Sequence, residues 1–303
     1  MRNADVERSF RDVYRRLDLN EEGEADSGGG AKAHAAHTWR GRQLERARAL
    51  APFLPPGCFL SGRTAAVIWR LPVPAADSDD LEVACFSPGR ALRRRGVRGS
   101  RVDPRFVTVT VHEGLPVTDA VSTWCMISPR LGRWDAVALG DSVIRQPRIP
   151  GTRRLTRAPH ATLEELERAA AAPYRRGRVS LLAMLPDLSP HSASAPESHL
   201  RLALAEWGVP EPALDFEVFD GGGRLLGCSE IAFPEYRLAH EYEGAHHMTE
   251  TAQWNRDIRK YRAYAQNGWD VIRVTAELLY RRRDELREQT FDALVQRGWV
   301  PSR

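Results

Sequence analysis

Between residues 224 and 247 the chain reads RLLGCSEIAFPEYRLAHEYEGAHH. Two β-strands are expected here, joined at Phe233-Pro234-Glu235. Side chains along a strand alternate between its two faces. Glu230 therefore shares a face with Leu226, Cys228 and Ala232, and on the second strand Arg237, Ala239, Glu241 and Glu243 share one. Glu241 and Glu243 repel each other at that spacing. A sheet tolerates such a pair when a hard divalent cation sits among the oxygens. It also tolerates them on an edge strand whose charges face solvent. The residues alone leave both readings open.

What flanks these strands predicts a compact α/β unit. Ser194-Ala195-Pro196-Glu197 has the form of a capping box, with Leu200, Ala203, Leu204 and Trp207 on one helical face behind it. Gly208 is the expected stop. A strand over 214–219 and a turn at Asp220-Gly221-Gly222-Gly223 come before the two central strands. A helix is expected over 249–267, where Trp254, Ile258, Tyr261 and Ala265 keep helical spacing, then a strand over 269–275 and a closing helix over 276–296. The order is α-β-β-β-α-β-α.

Residues 189–196, SPHSASAP, read as a linker. Three regions follow from it: 1–50, a partly disordered segment; 51–188, a mixed α/β domain; and 189–303, the α/β unit above. In the first, 5–17 suits a short basic helix or strand, 20–36 a mobile Gly/Ala-rich stretch, and 38–51 a helix. In the second, helices are expected over 61–69 (capped by Ser61), from Asp119 through Ile127, over 134–144, 163–171 and 179–188, and strands over 81–86 and 106–112. Residues 90–105, RALRRRGVRGSRVDPR, hold seven arginines with two glycines and a proline, which predicts a flexible basic loop. Such a loop contacts phosphate backbones or lies solvated on the surface.

The balance of charge supports a polyanionic partner without proving one. Residues 1–189 carry 30 Lys/Arg against 22 Asp/Glu, whereas 190–303 carry 14 against 18. All the cations except Lys32 and Lys260 are arginines, whose planar fork suits phosphate. No apolar run is long enough for a membrane span, and the charged first twenty residues lack a secretory h-region. A cytoplasmic protein is expected, with no membrane partner. Cys58, Cys85, Cys125 and Cys228 show no CxxC spacing and are expected to be buried thiols.

The motifs, taken in order, resemble the PD-(D/E)XK nucleases (the restriction-endonuclease-like core), and more closely the domain family similar to the very-short-patch-repair (Vsr) endonucleases. Those residues are Glu197-Ser198-His199-Leu200-Arg201, Glu230-Ile231-Ala232-Phe233-Pro234-Glu235, Glu241-Tyr242-Glu243-Gly244-Ala245-His246-His247, Asp257-Ile258-Arg259-Lys260 and Gly268-Trp269-Asp270-Val271-Ile272-Arg273-Val274-Thr275. Residues 53–150 are similar to the AbiEi antitoxin family through SGRTAAVIWRLP and GLPVTDAVSTW. The resemblance implies a metal-dependent DNA endonuclease or nickase using Mg2+ or Mn2+. It implies Glu230 and Glu241 as direct ligands, with Glu243 and the carbonyl of Tyr242 as further ones. His247, His246 or Lys260 would handle protons or phosphate, and Glu197 would face the metal as well as capping its helix. Arg93, Arg94, Arg95, Arg98, Arg256 and Lys260 would contact nucleic acid, although Lys260 beside Arg256 and Arg259 also suits a solvent-facing cation. Arg273, mid-strand, is expected buried and paired with the acids or a phosphate. Where the family usually has Asp, this chain has Glu230 and Glu243. That exchange suits the alternative of a catalytically impaired nuclease fold acting as a DNA-binding, antitoxin-like regulator. A homodimer and a toxin–antitoxin partner are compatible with either reading.

Overall fold

The computed structural model describes residues 6–10, 13–16, 30–244 and 251–301. It is a mixed α/β chain. It folds as two compact units: residues 1–139 with 160–186, and residues 140–159 with 187–303. The stretch 140–159, expected in the N-terminal domain, therefore belongs to the C-terminal unit.

In the first unit, β1 (Val6–Phe10) and β2 (Val13–Arg16) pair antiparallel. Helix α1 (Gly30–Leu50) follows, beginning inside the stretch expected to be mobile. Ala-Lys-Ala-His-Ala-Ala at 31–36 makes up most of its first two turns, and alanine is the strongest helix former. Next come β3 (Cys58–Leu60), α2 (Gly62–Ile68), β4 (Leu81–Phe86), β5 (Arg93–Arg94), β6 (Val97–Val102), β7 (Val109–His112), β8 (Leu115–Thr118) and α3 (Ala120–Ile127). The six strands from β3 to β8 form one sheet in the order β5-β6-β4-β3-β8-β7. Ala47 and Leu50 of α1 meet Leu60, Ala65, Ile68, Leu81, Val83, Leu115 and Val117 in its core.

Four expectations in this unit need correction. Cys58 and Cys85 are not thiols: they are register partners across β3 and β4 and form a disulfide. Cys125 and Cys228 do remain free. The arginine stretch is not a flexible loop, because Arg93–Arg94 pairs with Val97–Arg98 in a hairpin and β6 continues beside β4. Strand β7 starts at Val109 because Pro104 opens a short 3-10 turn whose Arg105 N–H is accepted by Asp103. Ser61 precedes α2, but its side chain makes no capping bond. Asp119, by contrast, caps α3 by accepting the Ser122 N–H at 2.7 Å, as a short carboxylate at an N-cap does.

The chain continues with α4 (Arg133–Ile144), α5 (Leu163–Ala171) and α6 (Arg178–Met184). The second unit adds α7 (Ala195–Trp207), β9 (Ala213–Phe219), β10 (Leu225–Phe233), β11 (Leu238–Glu243), α8 (Thr251–Gln266), β12 (Asp270–Thr275), α9 (Ala276–Tyr280) and α10 (Arg283–Gln296). Its sheet has the order β12-β11-β10-β9, with β11 and β12 parallel and the other pairs antiparallel. The closing helix expected over 276–296 is two helices, since Arg282, with ψ at 44°, interrupts it. Leu200, Leu204, Ile231, Phe233, Leu238, Tyr264, Val274, Leu286 and Leu294 are buried in this unit. No described helix is long and apolar enough to cross a membrane.

Candidate functional site

β10 and β11 pair through Phe233–Leu238, Ala232–Ala239 and Ile231–His240, and their ladder ends there. β11 runs on beside β12 as far as Glu243–Thr275. Continued by one rung, the β10–β11 ladder would set Glu230 opposite Glu241, so both side chains leave the same face of the sheet. Instead the strands part, and Glu230 Oε2 accepts the Tyr242 N–H at 2.7 Å. A backbone donor that would otherwise be orphaned is satisfied by a carboxylate, and that carboxylate is held in the opening of the sheet.

Glu241, 6% exposed, accepts from Lys260 Nζ at 2.7 Å. Lys260 comes from α8 and reaches across β10 to do so. Gly227 makes room for it: a Cβ there would stand 3.1 Å from Lys260 Cγ and 3.1 Å from Tyr264 Oη. The ammonium also lies 5.7 Å and 5.6 Å from the ring centres of Tyr261 and Tyr264, within reach of their negative faces. Lys260 is thus no solvent-facing cation.

The third acid is Glu197, on the first turn of α7 and 6% exposed. Ser194 caps the helix by accepting the Glu197 N–H, while the Glu197 carboxylate takes the Ala193 N–H at 2.7 Å. That turn is pinned from below. Asp141, near the end of α4 and 1% exposed, accepts from the Ser189 N–H at 2.7 Å, Ser198 Oγ at 2.7 Å and Arg201 Nη2 at 2.8 Å. Ser198 and Arg201 of the first motif therefore position α7, and with it Glu197.

Burial dominates the electrostatics of the three acids. It pushes the Glu230 carboxyl up to about 9, helped by the charges of Glu197 and Glu241 and opposed by the Tyr242 N–H and Lys260, since a low-dielectric site disfavours the charged form. Burial likewise raises Glu197, against the Ala193 N–H, and raises Glu241, against Lys260. Lys260 acts on Glu230 and Glu241 and Arg145 on Glu197, and against these two cations burial still raises all three acids, so a further positive charge would favour their ionised forms. Their donors are oxygens of the kind hard divalent cations take. Glu230 Oε1 has no hydrogen bond among the described residues, which leaves it open to an ion. Each carboxylate already serves a protein partner, however, and among the described residues no group of three or more His, Cys, Asp and Glu is gathered closely enough to hold a metal.

The remaining expected residues fall elsewhere. Glu243 binds Arg273 Nε at 2.6 Å and the Tyr261 hydroxyl at 3.2 Å. It is drawn toward β12 rather than toward Glu230. Arg273 is exposed, not buried, yet it is paired as expected. His246 and His247 lie outside the described residues, as does the side chain of Arg256. Arg93, Arg94, Arg95 and Arg98 belong to the first unit.

Beside the acids is a cavity of about 150 Å³, whose wall includes Arg145, Arg148, His191, Glu197, Asp215 and Glu230. The two arginines are not among the expected site residues, because they lie outside every motif. Asp141 does leave a trace in the sequence: an acid inside the apolar run AVALGDSVI of α4 requires a buried partner.

Two curated proteins of Mycobacterium tuberculosis are similar to this chain. They are "Uncharacterized protein MT2308" of strain CDC 1551 / Oshkosh and "Uncharacterized protein Rv2248" of strain ATCC 25618 / H37Rv, each 30% identical over 146 residues. The match takes in 48% of this chain and 53% of each relative, so the chain spans about half the length of the curated relatives it matches. No family model matches the chain. No solved structure matches it.

Proposed function

We propose that the second unit is a metal-dependent DNA endonuclease or nickase of the Vsr-like PD-(D/E)XK type. The observation that carries this reading is the Lys260–Glu241 contact at 2.7 Å beside the half-buried Glu230 and the buried Glu197. The sequence has no lysine at the position of Glu243, where that nuclease class usually has one. Lys260 supplies an ammonium from the neighbouring helix instead, which supports function over a merely acidic strand. Glu230 and Glu241 are the ligands we assign to Mg2+ or Mn2+, with Glu197 behind them. Bound there, the ion would lower the pKa of a water and neutralise charge developing on the phosphate. Lys260 Nζ favours the ionised form of Glu241 and presents its remaining protons to a phosphate oxygen or to the attacking water. On the first unit, Arg93, Arg94, Arg95 and Arg98 of the β5–β6 hairpin add affinity for the DNA backbone without choosing sequence.

The experiment is a calorimetric titration of Mn2+ into metal-free protein at neutral pH. A saturable site that releases protons on binding is expected, because Glu230 must ionise to become a ligand. Glu241→Gln should abolish it. A wild type that binds no ion refutes the enzyme.

A second reading is favoured by one observation. Glu243, a ligand by resemblance, is already held by Arg273 and Tyr261. In that reading the acids no longer gather a metal, and the chain is a DNA-binding regulator. It requires DNA binding that is indifferent to divalent ions, and that is its test.

A further inference from the structure

Residues 145–157 carry five arginines, at 145, 148, 153, 154 and 157. The segment folds back on itself through an antiparallel bridge between Arg148 and Leu155, the Ile149 N–H to Arg154 O bond at 2.9 Å and the Thr156 N–H to Pro147 O bond at 2.8 Å. It is fixed to the rest of the second unit at three points. The Gln146 N–H donates to Pro190 O at 2.9 Å. Arg148 grips Asp215 of β9, with Nε 3.0 Å from Oδ2 and Nη2 2.7 Å from the carbonyl. The Gly151 N–H donates to Glu217 Oε1 at 2.6 Å. The segment is therefore a docked hairpin.

Its arginines have different roles. Arg148 is committed to Asp215. Arg145 lines the cavity shared with Glu197 and Glu230, and its charge is felt by Glu197. Its side chain makes no hydrogen bond among the described residues. Arg153 and Arg154 are exposed on the same hairpin and form no side-chain ion pair among the described residues. One guanidinium in the cavity wall beside Glu197 and Glu230, and two more exposed further along the same hairpin, describe a surface that accepts a chain of anions running past the acids. A phosphodiester backbone has that form, and arginine binds phosphate bidentately.

We propose that the 145–157 hairpin is the DNA-backbone clamp of this unit: Arg145 takes a phosphate at the cavity beside Glu197 and Glu230, and Arg153 and Arg154 take phosphates further along the strand. This rests on the nuclease reading for its choice of DNA and deepens it by naming where the substrate strand lies. The segment falls outside the motifs that suggested a nuclease.

The test is binding of a fluorescently labelled DNA duplex to the full-length protein by anisotropy, in EDTA, over a series of salt concentrations. The variants are Arg145→Ala/Arg153→Ala/Arg154→Ala and its Arg→Lys counterpart. Arg148 is kept so that the hairpin stays docked, and thermal melts check that both variants fold. Each phosphate contact contributes about 0.9 to the slope of log K against log salt. The alanine variant is expected to lose roughly 2–3 from that slope, with affinity falling at least about tenfold at moderate salt. The lysine variant should retain most of the slope, since each charge remains. An alanine variant with wild-type slope and affinity overturns the clamp. So does a loss of slope on an RNA duplex with none on DNA. Because EDTA removes any cleavage, failure of the nuclease reading is scored separately: intact wild-type slopes with no metal-dependent cut sink that reading and leave the clamp standing.

Discussion

Replacing Glu230 by glutamine keeps the shape of the side chain and its acceptor for the Tyr242 N–H, and removes a carboxyl that is costly to ionise where it sits. The folded carboxyl titrates near 9 against an ordinary 4.5. An acid raised in this way contributes stability that is fully present below its unfolded value and lost as pH rises through its folded one. In the metal-free wild type that loss begins near pH 4.5 and is complete above about 9. At pH 7 the unfolded carboxyl is ionised and the folded one is not, a penalty of roughly 3 kcal/mol at about 1.36 kcal/mol per unit. Coupling to Glu197 and Glu241 shares part of it, so Glu230→Gln is expected to stabilise the protein by about 1–3 kcal/mol at pH 7. That corresponds to a Tm rise of roughly 5 °C for the unit. The gain should vanish at pH 4. The assay is scanning calorimetry with EDTA, at pH 4, 7 and 8.5. A variant less stable than wild type at pH 7, or stabilised equally at pH 4, refutes the claim that Glu230 is desolvated beside like charges.

Three other outcomes are expected. Lys260→Met leaves Glu241 buried without its cation and should destabilise the metal-free protein by roughly 3 kcal/mol in urea unfolding; an unchanged midpoint would mean the contact is solvent-screened. His240 is fully buried between Phe233 and Thr290 and its pKa is driven down to about 3 by that burial. Its contribution to stability is complete above about 6.5 and lost as pH falls toward 3, so His240→Phe should weaken that acid dependence in a circular-dichroism titration. Cys58 and Cys85 are joined across a separation of 27 residues. Replacing both by serine should lower the stability of the first unit by about 3 kcal/mol, read as a fall in Tm that reductant alone reproduces on wild type.

What the sequence made legible follows from local chemistry. Alternation groups Glu230 with Ala232 and Glu241 with Ala239, and the register then sets both glutamates on one face, because it opposes Ala232 and Ala239. Gly208 and Gly268 both adopt the left-handed backbone that ends helices. The rest depends on contacts between distant parts of the chain. In sequence Lys260 reads more readily as a surface cation, because its helix carries Arg256 and Arg259 beside it; Gly227, more than thirty residues away, is what lets its stem cross β10. The arginines at 145–157 carry no local mark, because nothing near them says that Asp141 joins this stretch to Ser198 and Arg201. The hairpin at 93–98 reads as a loop when charge is weighed above the turn at Gly96, whose φ of 75° closes it; glycine adopts that backbone without steric cost. The disulfide is hidden from cysteine spacing, since pairing depends on β3 and β4 meeting in register, which brings the two Cα atoms within bridging reach.

The measurement that bears most directly on the nuclease reading is nicking of supercoiled plasmid by purified wild type and Glu241→Gln, with Mg2+, with Mn2+ and with EDTA. Glutamates in place of the usual aspartates shift the ligand oxygens, and Mg2+ demands stricter geometry than Mn2+ tolerates. The expected result is weak nicking by wild type, stronger with Mn2+, absent with EDTA and absent from Glu241→Gln, whose DNA binding is equal or tighter. Wild type that nicks no more than Glu241→Gln with either ion contradicts it.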